Sequence, residues 1–170
     1  LSFAHGHQRA WAQSIRQHPN ARIAAVWDDD IPRGEQIASQ LGVPFVPQLE
    51  KVLARPDVDA VTICAENAKH ADLAVAAAQA GKHIMMQKPM ATTLEDCDRI
   101  VEAVEAAGVK YMQSFNLRFD PLHVAVKELV DADRIGRINI VRRRHSHHFA
   151  IDPGERQRVL GWMTDPAMAG

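Results

Sequence analysis

No stretch of the 170-residue chain approaches the roughly 20 consecutive apolar residues that a bilayer-crossing helix needs, which argues against a helical membrane span within it. The opening residues carry no basic n-region followed by an apolar h-region, and Leu1 is not a methionine, so whether a leader precedes it stays open. Cysteine is scarce. Cys64 and Cys97 are the only two, and each falls among apolar neighbours. Two isolated thiols read as reduced core residues and not as a disulfide framework, which favours the cytoplasm. An excess of either charge is missing too. Twenty Lys and Arg against 21 Asp and Glu leave a net charge of −1, so the chain lacks the basic footprint of a nucleic-acid binder.

What is present is alternation. Residues 1–4 read as the end of a strand, 7–17 as a helix, and 21–27 as a second strand closed by Asp28-Asp29-Asp30. A helix over 32–41 follows, with proline near its first turn and Gly42 just past its end. Residues 43–46 then give a short strand, 48–54 a short helix and 57–64 a strand. Asn67 is expected to cap an alanine-rich helix that Gly81 ends, and residues 83–86 form the next strand. Thr92 and Glu95 form a capping-box pattern for a helix whose apolar residues Leu94, Cys97, Ile100, Val101 and Val104 recur at helical spacing. Gly108 closes it, and 109–114 is one more strand.

Strands alternating with helices of this length call for βαβ crossovers and a parallel sheet covered on both faces. The expected architecture is α/β, a doubly wound Rossmann-type domain over residues 1–118. Residues 119–170 read as the beginning of a second α/β domain: a helix over 122–132, a turn at Ile135-Gly136 and a long strand over 137–147.

Several residues are candidates for chemistry. Lys88 follows the 83–86 strand at the edge where open α/β sheets hold their ligands; it is either a proton-exchanging or substrate-binding lysine, or an exposed loop charge. Gln87 either bonds a cofactor ribose or ends the strand. Asp28, at the end of the second strand, has the place of an acid that bonds adenosine ribose hydroxyls, and Asp29 and Asp30 beside it favour NAD over NADP, partly offset by Arg33. The same three acids also suit a solvated helix start. The first strand-to-helix turn, Ser2-Phe3-Ala4-His5-Gly6-His7, has small residues at Ser2 and Ala4 but a single glycine where a dinucleotide fingerprint has three. The cluster Arg142-Arg143-Arg144-His145-Ser146-His147-His148 suits an anionic ligand, a metal pair at His145 and His147, or a solvated strand end; no metal site is expected.

The order of these motifs resembles the Gfo/Idh/MocA oxidoreductases, the group of glucose–fructose oxidoreductase and inositol dehydrogenase. The resemblance runs through Asp57-Val58-Asp59-Ala60-Val61, Asn67 with His70, and Ala80-Gly81-Lys82-His83. It continues in Gln87-Lys88-Pro89, Gly108-Val109-Lys110, Asn116-Leu117-Arg118-Phe119-Asp120-Pro121, Gly161-Trp162 and Asp165-Pro166-Ala167-Met168-Ala169-Gly170. It implies hydride transfer between NAD and a polyol, sugar or cyclitol carbon, NADP being the less favoured cofactor, and a homo-oligomer built on the second domain. Lys88 carries over as the catalytic and substrate-binding lysine and Arg118 as a substrate-side residue near the domain junction. Ser2, Ala4, His5, Asp28, Asn67, Gln87 and Lys88 carry over as cofactor-binding residues. Gln87 stands where the family has glutamate, and the family's catalytic aspartate and histidine are expected beyond Gly170. Two other activities remain open: a glycoside-cleaving enzyme using transient oxidation, and a nucleotide-binding regulator without turnover.

Overall fold

The computed structural model describes residues 1–144, 154 and 161–170. It divides into two units, Leu1–Ser114 with Val159–Gly170, and Phe115–Arg158.

In the first unit, helices α1 (His7–Gln17), α2 (Ile31–Leu41), α3 (Leu49–Leu53), α4 (His70–Gln79) and α5 (Leu94–Ala107) alternate with extended segments. Strands β1 (Ala60–Ile63), β2 (His83–Met86) and β3 (Tyr111–Gln113) run parallel in that order, with Ala60 opposite His83 and Ile84 opposite Tyr111. Main-chain bonds carry the sheet beyond β1. The Leu1 nitrogen donates to Thr62 O (2.5 Å) and Cys64 N to Leu1 O (3.1 Å). Ser2 N then donates to Trp27 O (2.8 Å), while Val26 N and Val46 N bond Pro44 O and Val26 O, both at 2.9 Å. The spatial order is therefore 43–46, 26–28, 1–3, β1, β2, β3, that of a doubly wound dinucleotide fold.

The expected strands over 21–27 and 43–46 shrink to one parallel bridge between Val26 and Phe45. Pro44 and Pro47 have no N–H to donate, so a longer ladder along that edge lacks donors. On the other side, successive strand residues point to opposite faces, and Val61, Ile63, Ile84 and Met86 share the buried one. Ala74, Ala77 and Ala78 of α4 and Ile100 of α5, all fully buried, pack into the same core. Burying each of Ile63, Met86 and Ile100 contributes about 1.5–3 kcal/mol. The small alanine side chains let α4 pack close against β1 and β2.

Two expected caps shift. The capping side chain of α5 is Thr93, which accepts from Asp96 N at 3.1 Å, one residue beyond the Thr92–Glu95 pair. Asn67 caps nothing: it opens a 3₁₀ turn, Asn67–Lys69, that precedes α4, and its side chain is engaged elsewhere. The glycines at 42 and 108 are left-handed (φ 69° and 63°) and end α2 and α5 as expected.

The second unit holds a 3₁₀ turn, Asn116–Phe119, which contains an exposed Arg118, and α6 (Pro121–Asp131). Asp120 caps α6 by accepting from Leu122 N and His123 N. Residues 137–144 form no strand and are exposed throughout, against the expectation of a long strand there. A strand needs a partner for its ladder and a covered face, and the described residues of this unit supply neither. His145, His147 and His148 lie outside the described residues. Among those described, no helix is long and apolar enough to cross a membrane.

Candidate active site

Four turns of the first unit meet at the carboxyl ends of its central strands: 2–7, 28–30, 65–67 and 87–89. The first is shaped by Ser2. Its backbone sits in the left-handed region (φ 54°), where glycine rests at least cost, and its Oγ accepts from Ala4 N at 3.3 Å. His5 N bonds Cys64 O at 3.0 Å, and Gly6 forms the N-cap of α1. A Cβ at Gly6 would meet nothing within 4 Å, and among the described residues the Gly6 amide has no acceptor. Open space with an unused donor at the N-terminus of an 11-residue helix suits an anion such as a pyrophosphate.

Asp28 closes one side of this turn. It is wholly buried, and its carboxylate takes Phe3 N (2.8 Å) and Arg33 Nε (2.9 Å) on one oxygen, and Asp30 N (3.1 Å) and Arg33 Nη2 (2.6 Å) on the other. A carboxylate has about four acceptor positions, and all four are filled. Its neighbour Gly34 explains how α2 comes so close: a Cβ there would lie 2.2 Å from the Phe45 ring and 2.9 Å from Asp28 Cβ. Around Asp28, the acids Asp29, Asp30 and Glu66 pair with Arg33 and Lys69. Burial works against ionising Asp29, but the Lys69 ammonium bonded to it prevails and holds its carboxyl below the usual range. Four carboxylates thus face two cations, and the corner is net negative.

Lys88 is exposed at the opposite side, directly after β2, and the Lys88–Pro89 peptide is cis. Gln87, 1% exposed, bonds Ile63 O through its main-chain nitrogen and accepts from Lys88 N at 2.7 Å through its side-chain oxygen. Its amide nitrogen meets two imidazoles, His5 Nδ1 at 3.2 Å and His7 Nδ1 in a closer contact. Those two rings lie 4.4 Å apart. Burial, with His7, Lys88 and His70 as neighbours, pushes the His5 pKa down to about 4, so its ring is neutral near pH 7. His70 is also fully buried, with Nδ1 on Pro89 O (2.9 Å) and Nε2 on Ala65 O (3.2 Å), which ties the Lys88 turn to the end of β1. Burial lowers its pKa against the pull of those carbonyls. Cys64, beneath the turn, has its thiol pushed up to about 12 by burial and is inert as a nucleophile.

The late segment of the chain returns here. Trp162 Nε1 donates to Ala4 O at 3.1 Å, and Asn67 Nδ2 donates to Ala169 O at 2.8 Å. Ser2, Ala4, His5, Asp28, Asn67, Gln87 and Lys88 thus all belong to the first unit's strand-end rim, whereas Arg118 belongs to the second unit. His7, His70, Arg33 and Trp162 join the rim without having been read as site residues. The sequence held a hint of each: Arg33 as a counter-charge to Asp28–Asp30, His7 at the end of the first turn, and His70 and Trp162 as parts of the family pattern. No group of three or more potential metal ligands occurs among the described residues.

Residues 3–115 match the family described as "oxidoreductase family, NAD-binding Rossmann fold". The chain is 42% identical over 117 residues to inositol 2-dehydrogenase 3 of Saccharopolyspora erythraea, covering 68% of this chain and 35% of that protein. It is 31% identical over 163 residues to the 1,5-anhydro-D-fructose reductase of Ensifer adhaerens, covering 95% and 47%. The crystal structure of the WlbA dehydrogenase from Bordetella pertussis, in complex with NADH and UDP-GlcNAcA, superposes with a TM-score of 0.75 at 28% identity, over 79% of this chain and 39% of that one. The chain thus spans less than half the length of each of these relatives. On the match over residues 3–115, with the strand order and strand-end rim described above, the chain belongs to the Gfo/Idh/MocA oxidoreductase family, with its NAD-binding Rossmann fold.

Proposed function

We propose that the protein is an NAD-dependent dehydrogenase that oxidises a carbinol carbon of a cyclitol, sugar or related polyol, with Lys88 as the residue that handles the alcohol proton. The observation that carries this reading is the position of Lys88: exposed, directly after β2, on the same rim as the open α1 N-terminus and held there by Gln87 and by the His70–Pro89 contact. The nicotinamide, when bound, supplies the hydride acceptor at its C4 carbon. The chain's own part is to hold the alcohol oxygen within hydrogen-bond reach of Lys88 Nζ, which takes or shares the hydroxyl proton as hydride leaves the carbon that bears that oxygen. The Gly6 amide and the Ser2–Ala4 turn receive the pyrophosphate, and Asn67 lines the cleft. The family resemblance alone assigns Arg118, in the second unit, a part in substrate binding.

The net negative corner formed by Asp28, Asp29, Asp30 and Glu66 against Arg33 and Lys69 supports NAD over NADP, because a 2′-phosphate would meet uncompensated acid. Substrate class rests on the relatives, which are named for acting on inositol and on 1,5-anhydro-D-fructose. The two free cysteines support a cytoplasmic location. Exposed Leu122, Ile140 and Val141 in the second unit support burial of that surface in a homo-oligomer, which light scattering on the purified protein reads directly.

The test is Lys88→Ala in the purified protein, assayed on a panel of inositols and sugars with NAD. The expected result is a fall in kcat of about 10²–10⁴-fold, the usual worth of a positioned proton-transfer group, with NAD affinity within a few-fold of wild type. Turnover that stays within a few-fold removes the catalytic role. Accumulated NADH separates a dehydrogenase from a glycoside-cleaving relative, which returns the hydride.

A further inference from the structure

The side chain of Gln87 is the point where the two imidazoles and the Lys88 turn are joined. Its orientation is fixed by chemistry, since the main-chain N–H of Lys88 can only donate and therefore faces the amide oxygen at 2.7 Å. The amide nitrogen is left pointing at His5 Nδ1 and His7 Nδ1. An amide NH₂ has two protons to give and nothing to accept with, so both Nδ1 atoms must carry lone pairs. A second bond agrees: the main-chain N–H of His7 also donates to His5 Nδ1, at 3.1 Å. With Nδ1 bare, a neutral imidazole holds its proton on Nε2.

We propose that Gln87 is a positioning residue that fixes His5 and His7 as neutral, Nε2-protonated imidazoles, so that His7, exposed as the first residue of α1, presents an N–H donor to an oxygen of the bound dinucleotide. Its Nε2 lies on the side of the ring turned away from Gln87. The groups facing the pair are His7, Lys88 and His70 around His5, with the Trp162 ring 6.3 Å away at its edge. With both imidazoles uncharged, no cation reaches the Lys88 turn through Gln87. A glutamate at 87 would reverse this. A carboxylate only accepts, so it draws a proton to each Nδ1 and favours the imidazolium form.

The dinucleotide contact rests on the function proposed above, whereas the tautomers do not, and the experiment reads them separately. In protein labelled with ¹⁵N-histidine, two-bond ¹⁵N–¹H spectra distinguish the two tautomers and the cation, with His5→Gln and His7→Gln variants giving the assignments. At pH 7 both rings should show the Nε2–H pattern. In Gln87→Glu both should move to the Nδ1–H or doubly protonated pattern. Gln87→Met, which keeps the length without the amide, should leave a tautomer mixture if Gln87→Glu does not fold. A wild-type His5 or His7 found as Nδ1–H or as the cation at pH 7 overturns the tautomer assignment.

NAD titrations then test the donor role. His7→Phe should weaken binding about tenfold, in keeping with the loss of one hydrogen bond to a charged oxygen. His7→Gln, whose amide nitrogen takes the place of Nε2, should hold within about threefold, as a donor role requires. Equal affinity in wild type and His7→Phe overturns the contact while leaving the tautomers standing.

Discussion

At the residue scale the rim is governed by acceptors that are already used and imidazoles that resist charge. His5 shows the consequence for stability. Its ordinary pKa is near 6.5 and burial takes it to about 4 in the folded protein, with the neighbouring His7, Lys88 and His70 acting in the same sense. Between those values the unfolded chain binds the proton and the folded one refuses it. Stability therefore rises with pH through that window and is lost as pH falls from about 6.5 towards 4. His70, also shifted down, contributes with the same sign. In His5→Gln the amide oxygen can still accept from Gln87 while the titration is gone. The melting temperature of that variant should fall less steeply than wild type between pH 6.5 and 4, as differential scanning calorimetry in matched buffers will show. Parallel slopes would mean that His5 is free to protonate in the folded state. The strand-end positions of Lys88, Asp28 and Gln87 were legible in the sequence because strand ends are legible. That Asp28 is saturated by Arg33, Phe3 and Asp30 was not, since it depends on how close α2 comes to the turn.

That closeness belongs to the element scale. Helix α2 approaches the second extended segment over Gly34, where an added Cβ would overlap the Phe45 ring at 2.2 Å and crowd Asp28 Cβ at 2.9 Å. Neither neighbour can retreat easily. Phe45 is wedged beside Val26, Ile37 and Ala38, and Asp28 is fixed by its four bonds. Gly34→Ala should therefore destabilise by about 1–3 kcal/mol, the usual cost of overpacking, despite alanine's better helix propensity. It should also weaken NAD binding, because the displaced turn is the one that carries Phe3 N. Urea denaturation and cofactor titration check the two effects, and unchanged midpoints would show that α2 can shift outward without cost. The helices themselves were readable almost to the residue: 7–17 was found as expected, 32–41 starts one residue earlier, and Pro32, Gly42 and Gly108 punctuate the second and the last of the first unit. The outer strands were overread. Apolar runs at 21–27 and 43–46 look like strands by composition, but Pro44 and Pro47 limit the ladder to one bridge. The cap at Thr93 was missed by one residue because Thr92 and Thr93 offer the same hydroxyl.

On the scale of the whole chain, the site is closed by residues far from it in sequence. Trp162 donates to Ala4 O across 158 positions, and Asn67 reaches Ala169 O across 102. No periodicity signals such contacts, which is why Gly161-Trp162 and the run ending at Gly170 were visible only as family markers. The turn gains a fixed carbonyl at Ala4, which in turn steadies the following His5 and Gly6 amides. Trp162→Phe keeps the ring near His5 and removes only the indole N–H, leaving the Ala4 carbonyl without that donor. The expected cost is about 1 kcal/mol, the net value of one such bond. In a protein of 150–250 residues this corresponds to a fall in melting temperature of about 2–4 °C. A more specific sign should appear in hydrogen exchange: amides of residues 4–8 should lose protection, while those of β2 and α4 keep theirs. If protection falls evenly across the first unit, Trp162 supports the fold as a whole and has no particular hold on the 2–7 turn.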